Sequence, residues 1–255
     1  MGSTSWIDCG TYFLSTNPQG TDAWKEDRLG RLSASQHGHL ILPKHKSYQQ
    51  LADEILGVRE DKFSDVAQEW VNHGSLTEGL ARDWYTKVTT NEVIQVGFAV
   101  PKWCKEIGGS PDGMIGQDGL IEIKCPKKMY WSLMYKMKGI RMDTPQSFGF
   151  SSSVQLTPKN KEGEYDTCPI SLKCPHILIT HYAQMQSCMA ITGRKWCDYV
   201  VYATESGQAY IERVYYDNDF WLYLYDQIQK FLNSFLPKRR DELIASGKID
   251  VFPLV

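Results

Sequence analysis

The stretch that most constrains this chain is Ser110 to Lys128, SPDGMIGQDGLIEIKCPKK. Two apolar runs flank Gln117-Asp118-Gly119, and Asp-Gly between such runs is a strong hairpin signal. Strand side chains alternate, so Glu122 and Lys124 share one face while Ile121, Ile123 and Cys125 share the other. A strand this apolar belongs in a covered sheet, where two charged groups need partners. The arms run antiparallel, so Asp112 approaches Glu122, with a bulge at Gly113 or Gly116 taking up the register. Facing carboxylates repel unless a cation lies between them. A hard divalent ion answers that need, and Mg²⁺ suits carboxylates combined with phosphate oxygens. Lys124 then stands where it can orient or deprotonate water, and the set suits metal-assisted hydrolysis of a phosphodiester. The plainer alternative is a Pro111-Asp112-Gly113 turn beside a solvated strand face. The strand's length and apolar flanks favour a site.

Around this hairpin the pattern predicts an α/β fold, a central mixed β-sheet flanked by helices, within one domain spanning 1–255. Two short helices with a turn at Gly30 occupy the segment from Thr21, and Ser33 or Ser35 is placed to cap the second. Leu76, Leu80, Trp84 and Val88 recur at i+4, which predicts a helix from about Ser75 to Thr89. The β-branched run EVIQVGFAV predicts a strand. Met129–Lys138 reads as helix, and about 143–175 as a long loop or insertion. HILITHYAQMQSCMAIT reads as a buried helix stopped at Gly193. WCDYVVYAT and QAYIERVYY read as two strands, and DFWLYLYDQIQKFLNSFL as a terminal helix ended by Pro237.

Charge and cysteine usage narrow the function classes. With 28 Lys+Arg against 30 Asp+Glu the net charge is −2, which argues against a uniformly basic nucleic-acid binder but not against a local stripe. Lys124, Lys127, Lys128, Lys136, Lys138 and Arg141 form one, with Tyr130, Trp131 and Tyr135 interleaved. Such a stripe tracks a phosphate backbone irrespective of sequence, or else is a solvated helix face. Lys238-Arg239-Arg240 is a weaker cluster, read as helix C-terminal charge. Seven irregularly spaced Cys suggest reduced thiols and an intracellular setting. The start, MGSTSWIDCG, lacks the features of a secretory signal, Trp6 breaks a faint myristoylation pattern, and no apolar run is long enough to span a membrane. Cys168, Cys174, His176 and His181 fit no standard zinc spacing.

Ser-Pro-Asp-Gly followed by Leu-Ile-Glu-Ile-Lys-Cys-Pro resembles the PD-(D/E)xK nuclease motif, in the form used by the lambda exonuclease and YqaJ-type viral recombinase group. DAWKEDRLGRLSAS, HGSLTEGLARDWY and YAQMQSCMAITG resemble further blocks of that family in the expected order, from about Thr21 to Gly193. The resemblance implies a restriction-endonuclease-like core. It assigns Asp112 and Glu122 as metal ligands, the carbonyl of Ile123 as a backbone ligand, Lys124 as the catalytic lysine and Glu78 as a further ligand. Alone, Glu78 reads as a surface helix residue. Gln186, or Gln184 two positions earlier, would position nucleophile or scissile phosphate, although Gln in an apolar helix is commonly a satisfied core group.

A helix N-terminus attracts anions and an Arg grips phosphate bidentately, so the Ser33/Ser35 cap with Arg28 can form an anion pocket as well as an ordinary cap. The resemblance makes it a 5′-phosphate pocket, with Trp24 stacking nearby or packing in the core, and Lys127 and Lys128 extending the DNA path. It further implies Mg²⁺, with Mn²⁺ as a substitute, and double-stranded DNA with a 5′-phosphorylated end as substrate. A homotrimer ring and a single-strand annealing partner follow as well, while the lack of a long apolar run predicts no membrane attachment. The expected setting is the cytoplasm of a bacterial host, or the nucleus or cytoplasm for a eukaryotic virus. The activity implied is 5′→3′ exonuclease digestion for end resection in recombination. The alternatives are an alkaline-nuclease-like endonuclease acting on DNA or RNA, and a catalytically silent nucleic-acid-binding module. The interval between Lys124 and Gln186 is longer than the family pattern.

Overall fold

The structure, a computed structural model, describes residues 5–42, 46–58, 65–126, 177–205 and 208–249. The expected helix at Met129–Lys138, the insertion at 143–175, Lys127, Lys128 and the rest of the basic stripe beyond Lys124 lie outside the described residues, as do Cys168, Cys174 and His176.

A four-stranded mixed sheet carries the hairpin. Its strands are β6 (Gly113–Ile115), β7 (Gly119–Lys124), β8 (Trp196–Ala203) and β9 (Gln208–Tyr215), in that spatial order. β6 and β7 pair antiparallel, as do β8 and β9, while β7 and β8 run parallel. A parallel pair needs a long crossover. Helix α5 (Ile179–Thr192) belongs to it and ends at Gly193, whose φ of 69° supplies the left-handed cap. The sheet is covered on both faces because its strands alternate between two apolar clusters. Leu120, Tyr199 and Val201 join the larger core with Tyr182, Met185 and Met189 of α5. Ile121, Ile123, Val200 and Ile211 meet Ala81 and Tyr85 of α4 (Asp65–Thr89).

Smaller elements brace this core. β1 (Trp6–Asp8), β2 (Tyr12–Ser15) and β4 (Ala99–Pro101) form an antiparallel sheet, and β3 (Leu32–Ser33) pairs in parallel with β5 (Ile107–Gly108). Between them lie α1 (Asp22–Arg28), α2 (Ala34–Ile41) and α3 (Tyr48–Ile55). α2 lies tight on α5: a Cβ on Gly38 would stand 2.7 Å from Thr180 Cα, and His37 Nδ1 is 2.7 Å from Ser187 Oγ. His37 is fully buried, and burial pushes its pKa down to about 3.

Five expectations are corrected. EVIQVGFAV is not one strand: Ile94 bridges to Met114 of the four-stranded sheet, whereas Ala99 pairs with β2, and one straight strand cannot serve two sheets. The hairpin turn is Gly116–Asp118, with Gly116 taking positive φ (51°), while Gly119 opens β7 beneath the Trp196 ring. No bulge is needed, since Gly113↔Ile121, Met114↔Leu120 and Ile115↔Gly119 pair in continuous register. Pro237 does not end the terminal helix: α6 (Asn218–Lys230) passes through a π-helical turn at Phe231–Phe235 into α7 (Leu236–Ala245). Proline is tolerated there because the first helical turn leaves its N–H position unpaired anyway. Arg239 therefore sits inside α7, paired with Asp53 of α3 at 2.7 Å, instead of in a C-terminal cluster.

Candidate active site

β7 delivers Glu122 and Lys124 to the α5 side of the sheet, as its alternation requires. Glu122 is 1% exposed, and its Oε1 lies 2.5 Å from Lys124 Nζ. Its Oε2 accepts a hydrogen bond of 3.0 Å from Gln184 Nε2 on α5. Burial pushes the Glu122 carboxyl up to about 8 against the opposing pull of Lys124, and the charges of Asp112 and Glu78 add to the rise. Asp112 precedes β6, beyond the last paired residue, and its Oδ2 accepts the Ile123 N–H at 2.6 Å. N–H and C=O of one strand residue leave on the same edge, so the Ile123 carbonyl faces the Asp112 side. Burial raises Asp112 as well, opposed by Lys124.

Glu78 comes from α4 and pairs with Arg82 one turn on, at 2.5 Å. Burial raises its pKa and the charge of Asp112 raises it further, so three carboxylates from three segments share one field. Their chemistry fits a hard cation, which would relieve both the burial cost and the mutual repulsion. Among the described residues, no three His, Cys, Asp or Glu side chains converge on one point as they stand. The reason is visible: Asp112 is held by Ile123 N–H, Glu122 by Lys124 and Gln184, and Glu78 by Arg82.

Gln186 does not line the cleft described below. Its Nε2 donates to the Tyr215 carbonyl at 3.0 Å and its Oε1 accepts the Asp217 N–H at 2.7 Å, a buried brace between α5 and the β9–α6 junction. Both its amide nitrogen and its amide oxygen are thus bonded to backbone on the far side of α5 from Glu122. Gln184, two positions before it, faces Glu122 because the two residues lie on different sides of the helix.

The second half of the site comes from α1 and α2. A cleft with about 440 Å³ of empty space is lined by Gln19, Trp24, Arg28, Ser35, Asp112 and Gln184, among others. Arg28 lies half-buried in it. Its guanidinium stacks 4.2 Å above the Trp24 ring and its Nη2 donates to Ser33 Oγ at 3.3 Å. No carboxylate among the described residues pairs with it, and desolvation lowers its pKa. Trp24 Nε1–H donates to Ser110 Oγ at 2.9 Å, which pins the indole under Arg28 and ties α1 to the segment carrying Asp112. Ser33 N-caps α2, its N–H donating to Gln36 Oε1 at 3.0 Å, and Ser35 Oγ lies 3.1 Å from Ser33 Oγ. The structure thus brings Trp24, Arg28, Ser33 and Ser35 into one cleft with Asp112 and Gln184, beside Glu122 and Lys124.

Several contributors escaped the sequence reading. Gln19 donates to the Val96 and Pro111 carbonyls, both at 2.9 Å, and nothing in its local pattern marks it. Arg82 lies four residues after Glu78, so helical spacing alone could have paired them. Arg194 clasps the hairpin by donating to the Gly119 and Gly116 carbonyls at 2.7 and 2.9 Å. His181, set aside with the cysteines, bonds Tyr199 Oη at 2.9 Å. The five described cysteines are free thiols, and no described helix is long and apolar enough to cross a membrane.

Residues 23–148 match the YqaJ-like viral recombinase domain. The alkaline exonuclease LHK-Exo of Laribacter hongkongensis has a similar structure, with a TM-score of 0.61 at 23% identity over 90% of this chain and 100% of that one. Its complex with dAMP gives a TM-score of 0.61 at 24% identity, with the same coverage. A search of curated proteins finds no match. The likeness to LHK-Exo shows a shared fold.

Proposed function

From a YqaJ-like viral recombinase domain matched across residues 23–148, we propose that this chain is a Mg²⁺-dependent deoxyribonuclease that digests linear duplex DNA 5′→3′. The observation that carries this reading is Arg28: a half-buried guanidinium that no carboxylate among the described residues pairs with, in the cleft that also holds Asp112. A desolvated cation without a counter-charge calls for an anionic ligand. The acid-rich side of the same cleft calls for a cation. A terminal phosphate at one end and a metal-associated scissile phosphate at the other satisfy both.

In this reading Arg28 forks onto the 5′-phosphate, with Ser33 and Ser35 donating from the α2 cap, and Trp24 holds the guanidinium plane. Asp112, Glu122 and the Ile123 carbonyl would hold the metal, with Glu78 as a further ligand if it were released from Arg82. A bound divalent ion would polarise the phosphoryl oxygen and acidify water. Lys124, anchored by Glu122, orients the attacking water, and it could take the water's proton only as the neutral amine, once a metal had drawn Glu122 away. Gln184 fixes Glu122 and faces the scissile phosphate. Lys127 and Lys128 continue the path of the DNA backbone. A trimeric ring and a partner that anneals the exposed strand belong to the same reading, as does end resection as the biological role.

Digestion of end-labelled linear duplex with Mg²⁺ tests it, comparing 5′-phosphate, 5′-hydroxyl and closed circular substrates. Faster release of mononucleotides from 5′-phosphorylated ends is expected. Equal cutting of circular DNA or of RNA would replace the exonuclease by an endonuclease. Nucleic-acid binding without any cleavage would leave a silent binding module.

A further inference from the structure

One polar pair beside the cleft has no part in the scheme above. Tyr199 stands opposite Glu122 in the parallel β7–β8 register, so the two side chains share the α5 face of the sheet. Its hydroxyl meets His181 Nδ1 at 2.9 Å, with the rings 5.9 Å apart and tilted by 43°. His181 precedes Gln184 by three residues on α5, so both lie on the helix face that looks at Glu122 and Lys124. Tyr199 is 1% exposed and rigidly placed, whereas His181 is only partly buried. The described residues give His181 Nε2 no hydrogen-bond partner. Burial and the charge of Lys124 hold the imidazole well below its ordinary pKa, so it is neutral at working pH. In a neutral imidazole, the bond made by one nitrogen decides where the single proton sits. The Tyr199–His181 contact is compatible with either tautomer, and the one in which the phenol donates to Nδ1 carries the proton on Nε2.

Resting on the nuclease reading above, we infer that His181 is a further substrate-contacting residue, whose Nε2–H, oriented by Tyr199, donates to a phosphate oxygen of the strand lying across Lys124 and Gln184. A neutral donor here adds directionality without adding charge to a site already holding Lys124. Its contribution falls mainly on binding, at roughly 3- to 10-fold in KM for the loss of one neutral hydrogen bond.

The test compares His181→Ala, His181→Gln and Tyr199→Phe on the same 5′-phosphorylated duplex. His181→Ala should raise KM with little change in kcat, and His181→Gln, which keeps an N–H donor, should recover most of the loss. Tyr199→Phe should raise KM less than His181→Ala. The dependence of binding on salt should keep its slope in all three, since no cation is lost. Unchanged KM in His181→Ala, or His181→Gln as poor as His181→Ala, overturns the proposal. Duplex affinity measured in a Lys124→Ala background, by fluorescence anisotropy, reads the same contact without turnover. Should the wild type cleave nothing, the nuclease reading fails, and this arm still decides whether His181 touches a bound strand.

Discussion

The two halves of the cleft are opposites. The hairpin half is acid-rich and internally compensated: Asp112 on a backbone N–H, Glu122 on Lys124 and Gln184, Glu78 on Arg82. The α1–α2 half holds a cation, Arg28, whose neighbours are a serine hydroxyl and an indole face. Compensated charges are costly to disturb, because removing one partner strands the other in a low-dielectric site. An uncompensated cation can be removed cheaply and is costly only to ligand binding. One half should therefore report on chemistry and fold together, and the other on substrate selection alone.

The largest effect is expected at Lys124. Lys124→Ala should lower kcat by about 10²- to 10⁴-fold, the usual range for a positioned proton-transfer group. DNA affinity should stay largely intact, as a gel-shift titration would show. Activity within tenfold of wild type would mean that the hairpin half is not the chemical centre.

Next comes Arg28→Ala. Charge-assisted hydrogen bonds contribute ~1.5–3 kcal/mol, which corresponds to about 10- to 100-fold in kcat/KM on 5′-phosphorylated ends. Rates on 5′-hydroxyl ends should hardly change, and the melting temperature should not fall. A melting temperature drop comparable to that of Lys124→Ala would erase the contrast between the halves.

The glutamines sharpen it further. Gln184→Ala should cut turnover with the fold intact, whereas Gln186→Ala should lower the melting temperature and leave turnover per folded molecule near wild type. Differential scanning fluorimetry beside a nuclease assay separates the two, and a reversed pattern would return Gln186 to the site.

The smallest expected effects lie in the pH profile of stability. Glu122 titrates near 4.5 when unfolded and near 8 in the fold, so its contribution is fully present below about 4.5 and is lost as pH rises through 8. His37 is depressed from 6.5 to about 3, so its contribution is present above 6.5 and is lost as pH falls toward 3. The metal-free protein should thus melt at lower temperature at pH 9 than at pH 6.5. Added Mg²⁺ should raise the melting temperature more at pH 9, where the carboxylates are ionised. An equal Mg²⁺ response at both pH values would place the ion away from Glu122.

The contrast between the halves also explains what was readable in advance. Within the hairpin half, Asp112, Glu122 and Lys124 lie close in sequence, so period-two alternation and one turn suffice to align them. Glu78 was reachable only through the family resemblance, since its i+4 partner Arg82 makes it look like an ordinary surface pair. The strand expected at EVIQVGFAV failed because local β-propensity cannot see that its two ends join different sheets. Pro237 was read as a stop, although it stands at the first turn of a new helix, where proline costs little.

By itself the sequence determined the polarity of β7, with charge on one face and Ile121 and Ile123 on the other, because backbone geometry leaves successive side chains no other choice. It also narrowed the α2 cap to Ser33 or Ser35, a local pattern, and the structure puts the cap at Ser33. Tertiary structure alone decided that the Arg28 pocket opens onto Asp112, through the Trp24–Ser110 hydrogen bond across 86 residues of chain. It decided too that Gln184 and not Gln186 faces Glu122, and that His181 meets Tyr199. Those outcomes depend on how α5 is rotated against the sheet. That rotation is fixed by packing across the whole core, including the close approach at Gly38, and no short window of residues contains it.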